Sequence, residues 1–502
     1  MISLGVDIGG TGCKCVAFSS DGQQLALAYR EYPLATGTVD LPPQILRTAA
    51  LEVIRACVEQ LQDPADVAAV TVSSFGESFV AVDADGRPLT DILLYFANAE
   101  DDEFSRLVRQ VGEEPFTRIA RILPDASYSL AKMLYTRRVA PRPVAKFLFV
   151  AGYLCRVLCG ASVCDVSLAC RSLLYDVQGG CWSQELLEAS GIREEQLPAV
   201  LPTGSVAGTL LPEQAAVLGL SPDVRVVIGS HDQIVNALGA GVQRPGEAVD
   251  TSGTCECITP LYASIPQGTE FQRNNFACVP YLTSGGFVTY AYNISGGSVV
   301  RWYRDALGEY LRPEAEKRGC SLYELFNEQC PAEPTSLLML PFLQGMGGTP
   351  DVDAAATGMI AGLTTQTRLP ELYRAVLEGV SFEMRYNREK LCEAGVDFDR
   401  LLACGGGARS HIWLQIKADV LGCEIVPVLT EETGAMGSAI LGVAAVTGED
   451  IFSVARRFWR IGEVIRPIPA HQAVYERRYA MYKTVRQFYL DCRKKEQQRE
   501  QL

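Results

Sequence analysis

Two stretches of this chain repeat one pattern, and the repetition limits the folds open to it more than any other feature. Residues 6–15 read VDIGGTGCKC and residues 249–258 read VDTSGTCECI. Each is a hydrophobic run ending in an aspartate, then a turn of small residues, then a second strand-like run. The copies are too far apart for a solenoid, whose repeats span roughly 20 to 50 residues, so the duplicated unit is a domain. At 502 residues the chain also passes the size at which one core stops growing, roughly 250 to 300 residues. The boundary falls near Arg244, in QRPGEA, giving domains 1–244 and 245–502 with a cleft between them.

Around the first copy, ISLGVDI, CKCVAF and QQLALAYREYPL, joined by tight turns, predict an antiparallel meander. PPQILRTAALEVIRACVEQLQ carries apolar residues at helical spacing, and DVAAVTVSS is a short β-branched run, so a helix and a buried strand follow. This alternation predicts an α/β fold. A helical region is expected over residues 101–158. Within residues 225–241 a buried strand ending at Gly229, a loop SHD and a helix are expected, which makes His231 a loop residue. His411 reads as helix surface. The last segment, HQAVYERRYAMYKTVRQFYLDCRKKEQQREQL, reads as a long amphipathic helix with a charged end.

A formal charge of −14 implies no basic face for nucleic acid or an anionic membrane. The 17 cysteines are scattered, and the opening lacks the charged and apolar regions of a secretion signal. They read as reduced thiols serving as small apolar residues in a cytoplasm. The pairs Cys13/Cys15 and Cys255/Cys257 have no second ligand pair at zinc spacing, so metal is not expected there. No apolar run approaches the length that crosses a bilayer, about 20 residues.

The first turn holds the parts of a phosphate site. Gly9 and Gly10 let backbone N–H groups approach an anion, Thr11 offers a hydroxyl and Lys14 a cation. Asp7 would repel bare phosphate, and makes sense if a divalent cation stands between them or if it is only a turn residue. Alone, the stretch serves equally well as a hairpin turn. Further small-residue turns stand at residues 251–254 and 295–298, and residues 403–422, ACGGGARSHIWLQIKADVLG, leave a strand through glycines and enter a helix. Together they predict a nucleotide cleft.

The chain resembles the FGGY carbohydrate kinases, within the actin, hexokinase and Hsp70 ATPase superfamily. Residues 358–378, GMIAGLTTQTRLPELYRAVLE, follow that family's second signature without departure. LPFLQGMGGTP (340–350) is similar to its P-[FY]-L-x-G-x-x-x-P segment, and the 403–422 stretch to its adenine-side segment. SYSLAKMLY (127–135) resembles the first signature, with Lys132 at its lysine but Tyr135 for a tryptophan and Thr136 for an apolar residue. The resemblance implies two duplicated actin-like, ribonuclease H-like domains around a central cleft, with ATP and Mg2+ as cofactors. It implies that Asp7, with Asp232 nearby, serves hydrated Mg2+, and that Gly9, Gly10, Thr11 and Lys14 form the first phosphate loop. Gly253 and Thr254 match the second loop, Gly296 approaches the terminal phosphates, and Gly406, Gly407 and Ser410 lie on the adenine side. Asp232, in GSHDQ, matches the general base; on residue type alone it also suits the N-cap of a helix.

The acceptor side departs from the family. SSFGES (73–78) puts Glu77 where xylulokinases have histidine and close to a substrate-binding glutamate of glycerol kinases. YFANA (95–99) puts Ala97 and Ala99 where many members have aspartate and arginine. Glu77 is expected to touch substrate hydroxyls, and Tyr95 either stacks on the substrate or packs. The function implied is phosphoryl transfer from ATP to a hydroxyl of an open-chain ketose, sugar acid or polyol, by a protein that the family also leads one to expect as a homodimer. The rivals are a noncatalytic actin-like nucleotide-binding sensor or assembly protein and a ROK-type hexokinase. The ROK cluster C-x-C-G-x-x-G-C does not occur, and both Asp7 and Asp232 are kept, which weighs against either.

Overall fold

The computed structural model describes residues 1–35, 37–97, 102–282 and 285–500, the last four without side chains. Its N-terminal sheet grows from the hairpin of β1 (Ile2–Ile8) and β2 (Gly12–Ser19), extended by β3 (Gln24–Glu31). Helix α1 (Pro43–Val58) begins with proline in its first turn, where no N–H is needed, and buries Leu46, Ala50, Val53 and Ile54. It leads into β4 (Val67–Ser74), parallel to β1. With β5 (Val206–Thr209) and β6 (Arg225–His231) the sheet runs β5-β6-β4-β1-β2-β3.

The region expected to be helical from residue 101 to 158 is interrupted. Helices Asp102–Val111 and α2 (Ser129–Val139) are present, but Pro141 and Pro143 follow α2, and KFLF then forms a strand, Lys146–Phe149, paired with Phe79–Val82. The strand runs directly into a helix, Val150–Cys159, so the apolar stretch FLFVAGYLC is divided between a strand that finds a partner and a helix that does not need one. The loop expected at SHD is likewise absent. Strand β6 continues to His231 and α3 (Asp232–Ala240) starts at the next residue, because the His231 ring accepts the Gln233 N–H and caps the helix itself.

The C-terminal sheet repeats the first. Its hairpin, β7 (Glu247–Ser252) and β8 (Glu256–Tyr262), is extended on one side by β9 (Val279–Tyr281), β10 (Gly286–Val288) and β11 (Ala291–Asn293). On the other side β7 pairs parallel with β12 (Arg400–Gly405), and β12 with β13 (Glu424–Pro427). An antiparallel hairpin followed by two parallel strands therefore occurs twice, as the repeated sequence implied. Helices α4 (Gly297–Leu307), α5 (Leu369–Glu393) and α6 (His411–Leu421) belong to this half. The closing helix α8 (Pro469–Glu500) buries Tyr475, Tyr482 and Arg486, with Arg486 paired to Glu383 of α5.

Helix α7 (Thr433–Thr447) joins the halves. A Cβ on Gly5 of β1 would lie 1.9 Å from Ala435 O, and one on Gly437 would lie 1.9 Å from Val235 O of α3. The helix thus lies directly on the first sheet, which explains why β1 is buried on both faces. Asn236 of α3 ties the centre together, donating to Thr251 Oγ1 at 2.7 Å and accepting from Thr433 Oγ1 at 2.5 Å. All 17 cysteines are free thiols. Among the described residues no helix is long and apolar enough to cross a membrane.

Candidate active site

Asp7 and Lys14 face each other in the β1–β2 register, and the α7 backbone comes close at Gly434, where a Cβ would lie 3.2 Å from Asp7 Oδ2. Lys14 Nζ donates to Glu432 Oε2 at 2.5 Å, just before α7 begins. Burial, then the charge of Asp232, pushes the Asp7 carboxyl up to about 7. The Asp232 charge thus acts on Asp7, and Lys14 is already paired to a further carboxylate, Glu432.

Asp232 opens α3, and its Oδ1 is fully buried with no hydrogen-bond donor. His231 Nδ1 lies 2.9 Å from that oxygen and 3.2 Å from Gln233 N, so the tautomer of the ring decides whether Asp232 gains a donor. His231 is held from both ends: its backbone N–H donates to Ser167 Oγ at 2.9 Å, and its imidazole stacks on Tyr290 at 5.0 Å. His231, expected in a loop, is a buried positioning contact of Asp232.

Glu77 is not a solvated loop residue. It is 8% exposed, holds a left-handed φ of 59°, and accepts from Arg171 Nε. Burial opposes the charge on Arg171, yet Glu77 and two tyrosines outweigh it and hold its pKa up. Lys132 of α2, the signature lysine, lies beneath this loop and the next. Its Nζ donates to the carbonyls of Glu77 at 3.2 Å, Leu94 at 2.9 Å and Tyr95 at 3.2 Å, and burial lowers its pKa to about 8. Tyr95 packs on Phe75 and Phe96 while remaining 45% exposed, and a Cβ on Gly10 would lie 3.0 Å from its ring. Burial, then Cys255, Asp232 and Glu77, raises the Tyr95 phenol. One side chain thus senses the first turn, the second turn, Asp232 and the acceptor loop. Ala97 is buried, and Ala99 lies outside the described residues.

The second and third turns interlock. Gly297 N donates to Gly253 O at 3.0 Å and Ser298 N to Thr254 O at 3.1 Å, while a Cβ on Gly296 would lie 2.5 Å from Cys255 C and Glu256 N. Only glycine fits there. Thr254 is exposed, and Ser298 Oγ, in the first turn of α4, is buried without a partner. Beneath them Lys417 of α6 donates to Asp250 and, at 2.6 Å, to Ser252 Oγ, and pairs with Glu256. Asp250, the repeat-mate of Asp7, is thereby sealed away rather than open. The fourth turn rests on the same strand: a Cβ on Gly407 would lie 2.5 Å from Ser252 Cβ. Gly406 is exposed, whereas Ser410 Oγ accepts the Trp413 N–H at 3.3 Å and donates to Asn327 at 2.9 Å.

Residues 2–239 match the FGGY family of carbohydrate kinases, N-terminal domain, and residues 250–446 match its C-terminal domain. The chain belongs to the FGGY family of carbohydrate kinases. It is a phosphotransferase acting on a sugar-type hydroxyl, with ATP and Mg2+ as cofactors. This kinase is similar to a gluconokinase of Bacillus licheniformis, 28% identical over 493 residues that span 95% of this chain and 94% of the relative. It is 24% identical to a xylulose kinase of Bacillus subtilis, over 96% of each chain. The crystal structure of a ligand-bound xylulose kinase from Lactobacillus acidophilus superposes with a TM-score of 0.84 at 22% identity, covering 97% of this chain and 98% of that one. The likeness carries the two-domain actin-like ATPase fold. Arg171 and Glu432, both in contact with candidate residues, were missed by sequence reasoning: LACRSLL and TEETG carry no spacing that marks them.

Proposed function

We propose that this kinase transfers the γ-phosphoryl group of ATP to a hydroxyl of an open-chain ketose, sugar acid or polyol, with Asp232 as general base and Asp7 serving hydrated Mg2+. One observation carries the reading: two carboxylates, Asp7 and Asp232, meet beside phosphate-type turns from both halves, with Tyr95 reporting on all of them. The donor set fits its cofactors. Asp7, a carboxylate kept from full ionisation by burial and by the Asp232 charge, suits a hydrated divalent cation that would neutralise both, and the orphaned Ser298 hydroxyl at the start of α4 suits a phosphate. When bound, Mg2+ neutralises charge on the transferring group.

The protein's own share is positioning and proton transfer. Asp232 Oδ1 is buried against His231 while the side chain as a whole is 31% exposed, so the other carboxylate oxygen is the one open to take the proton of the acceptor hydroxyl. His231, locked by Ser167 and Tyr290, fixes the direction of that carboxylate. Gly10, Thr11 and Lys14 on one side and Thr254 and Gly296 on the other face the phosphates, while Gly9 and Gly253 shape the two turns, their N–H groups donating to Gly12 O and Cys255 O at 2.9 Å each. Gly406, Gly407 and Ser410 border the adenine, with Gly406 as the exposed member. Glu77 and Tyr95 form the acceptor side, and the two domains, 1–244 and 245–502, close on the pair of substrates.

ADP release, coupled to a dehydrogenase readout, against pentuloses, hexuloses, polyols and sugar acids tests the reading. Acceptor-dependent turnover that vanishes in Asp232→Ala supports it; no acceptor-dependent turnover across the panel, or unchanged turnover in the variant, overturns it.

A further inference from the structure

The acceptor loop contains an ion pair that no motif announces. Arg171 Nε donates to Glu77 Oε1, and the guanidinium lies over the rings of Tyr128 at 4.9 Å and Tyr290 at 5.3 Å. Among the described residues Glu77 Oε2 takes no hydrogen-bond partner, the Arg171 guanidinium reaches Tyr128 as well as Glu77 and keeps further N–H groups to donate, and the side chains keep 10% and 12% exposure. The pair therefore leaves an acceptor oxygen beside donor nitrogens at the edge of the site. The Tyr290 ring takes Arg171 at 5.3 Å and stacks on His231 at 5.0 Å, and His231 Nδ1 lies 2.9 Å from Asp232 Oδ1, which places the pair beside Asp232. The Tyr290 hydroxyl is buried there without a partner.

Charge at this pocket is lopsided. Asp7, Asp232 and Glu77 contribute carboxylates, while each nearby cation is already committed: Arg171 to Glu77, Lys14 to Glu432, and Lys132 to three carbonyls. A hydroxyl both donates and accepts, so neighbouring hydroxyls satisfy Oε2 and Nη together. A carboxylate only accepts, and it would bring a further negative charge against Glu77.

We propose that the Glu77–Arg171 pair is the specificity determinant of the acceptor site, selecting a neutral open-chain ketose or polyol with adjacent hydroxyls over a sugar acid. The inference rests on the kinase reading above and narrows its acceptor. It separates this chain from the sugar acid in the name of the gluconokinase it resembles.

The experiment compares kcat/KM and ligand-induced thermal shifts for ketoses and polyols against aldonic acids of equal chain length, in the wild type, Glu77→Gln and Arg171→Gln. The wild type is expected to favour neutral acceptors by about tenfold or more. Glu77→Gln unpairs the guanidinium, so the ratio should move toward the aldonic acids by about tenfold, mostly through KM. Arg171→Gln should weaken neutral acceptors without gaining the acids. A wild-type preference for an aldonic acid, or a ratio unmoved in a folded Glu77→Gln, would overturn the proposal. Wild-type ADP release with no acceptor of either class would sink the kinase reading instead, and the thermal shifts would still decide the pair: a shift with neutral acceptors alone supports it, and one with aldonic acids alone or with neither class contradicts it.

Discussion

The Lys14 ammonium and the Glu432 carboxylate, 418 residues apart in the chain, stand 2.5 Å apart beside Asp7. A strand from the first half and the residue before α7 are thus joined at the phosphate side of the site. The cation expected to meet phosphate is in competition with a protein carboxylate.

Removing that competitor should strengthen nucleotide binding. With side chains 29% and 18% exposed, the pair is partly solvated, so Glu432→Gln should lower the KM for ATP by roughly two- to fivefold, the equivalent of about 0.5–1 kcal/mol. Lys14→Met should raise it. Steady-state kinetics at two salt concentrations check both, and a raised KM in Glu432→Gln would mean that Glu432 helps to hold nucleotide.

Asp7 makes Mg2+ binding depend on pH. Its folded pKa, about 7, lies above the ordinary aspartate value of 3.8, so its contribution to stability is complete below the unfolded pKa and lost as pH rises to the folded one. Mg2+ needs the carboxylate ionised, so calorimetry should find its affinity falling up to about tenfold per pH unit below neutrality. Asp7→Asn should flatten that slope while lowering affinity throughout.

Lys417 tests the structural half of the repeat. Lys417→Met leaves Asp250 and Glu256 buried without their cation, a loss of about 3–5 kcal/mol by the usual cost of a broken buried pair. Denaturant unfolding measures it. A change below about 1 kcal/mol would show that the triad is not needed for stability.

Gly437→Ala sets two effects against each other. Helix propensity favours alanine by about 0.8–1 kcal/mol. The new Cβ, however, would sit 1.9 Å from Val235 O, a backbone atom that cannot move without shifting α3. The contact wins, and the variant should melt lower; a higher melting temperature would mean that α7 slides freely on α3.

Much of the fold was legible because it rests on local chemistry. The opening meander, α1, β4 and the C-terminal helix follow from alternation, helical spacing and turn residues, and the duplication follows from two copies of one pattern. The strand Lys146–Phe149 was hidden because its partner, Phe79–Val82, lies far away in sequence. Strand β6 ran past Gly229 because a histidine cap removed the need for a loop. At the site, Asp7 and Asp232 stood in recognisable motifs, whereas Arg171 and Glu432 act through tertiary contacts that no local spacing encodes. Sequence also offered no reason to separate Asp7 from Asp250; only Lys417, distant in the chain, neutralises Asp250 and leaves Asp7 half-buried without it.

The most direct test of the account is acceptor-dependent ADP release by Asp232→Asn, measured beside calorimetric titration of ATP with Mg2+. The account predicts a kcat lowered by about 10²- to 10⁴-fold, the usual worth of a positioned general base, with nucleotide affinity nearly unchanged. A variant that turns over at the wild-type rate would contradict it.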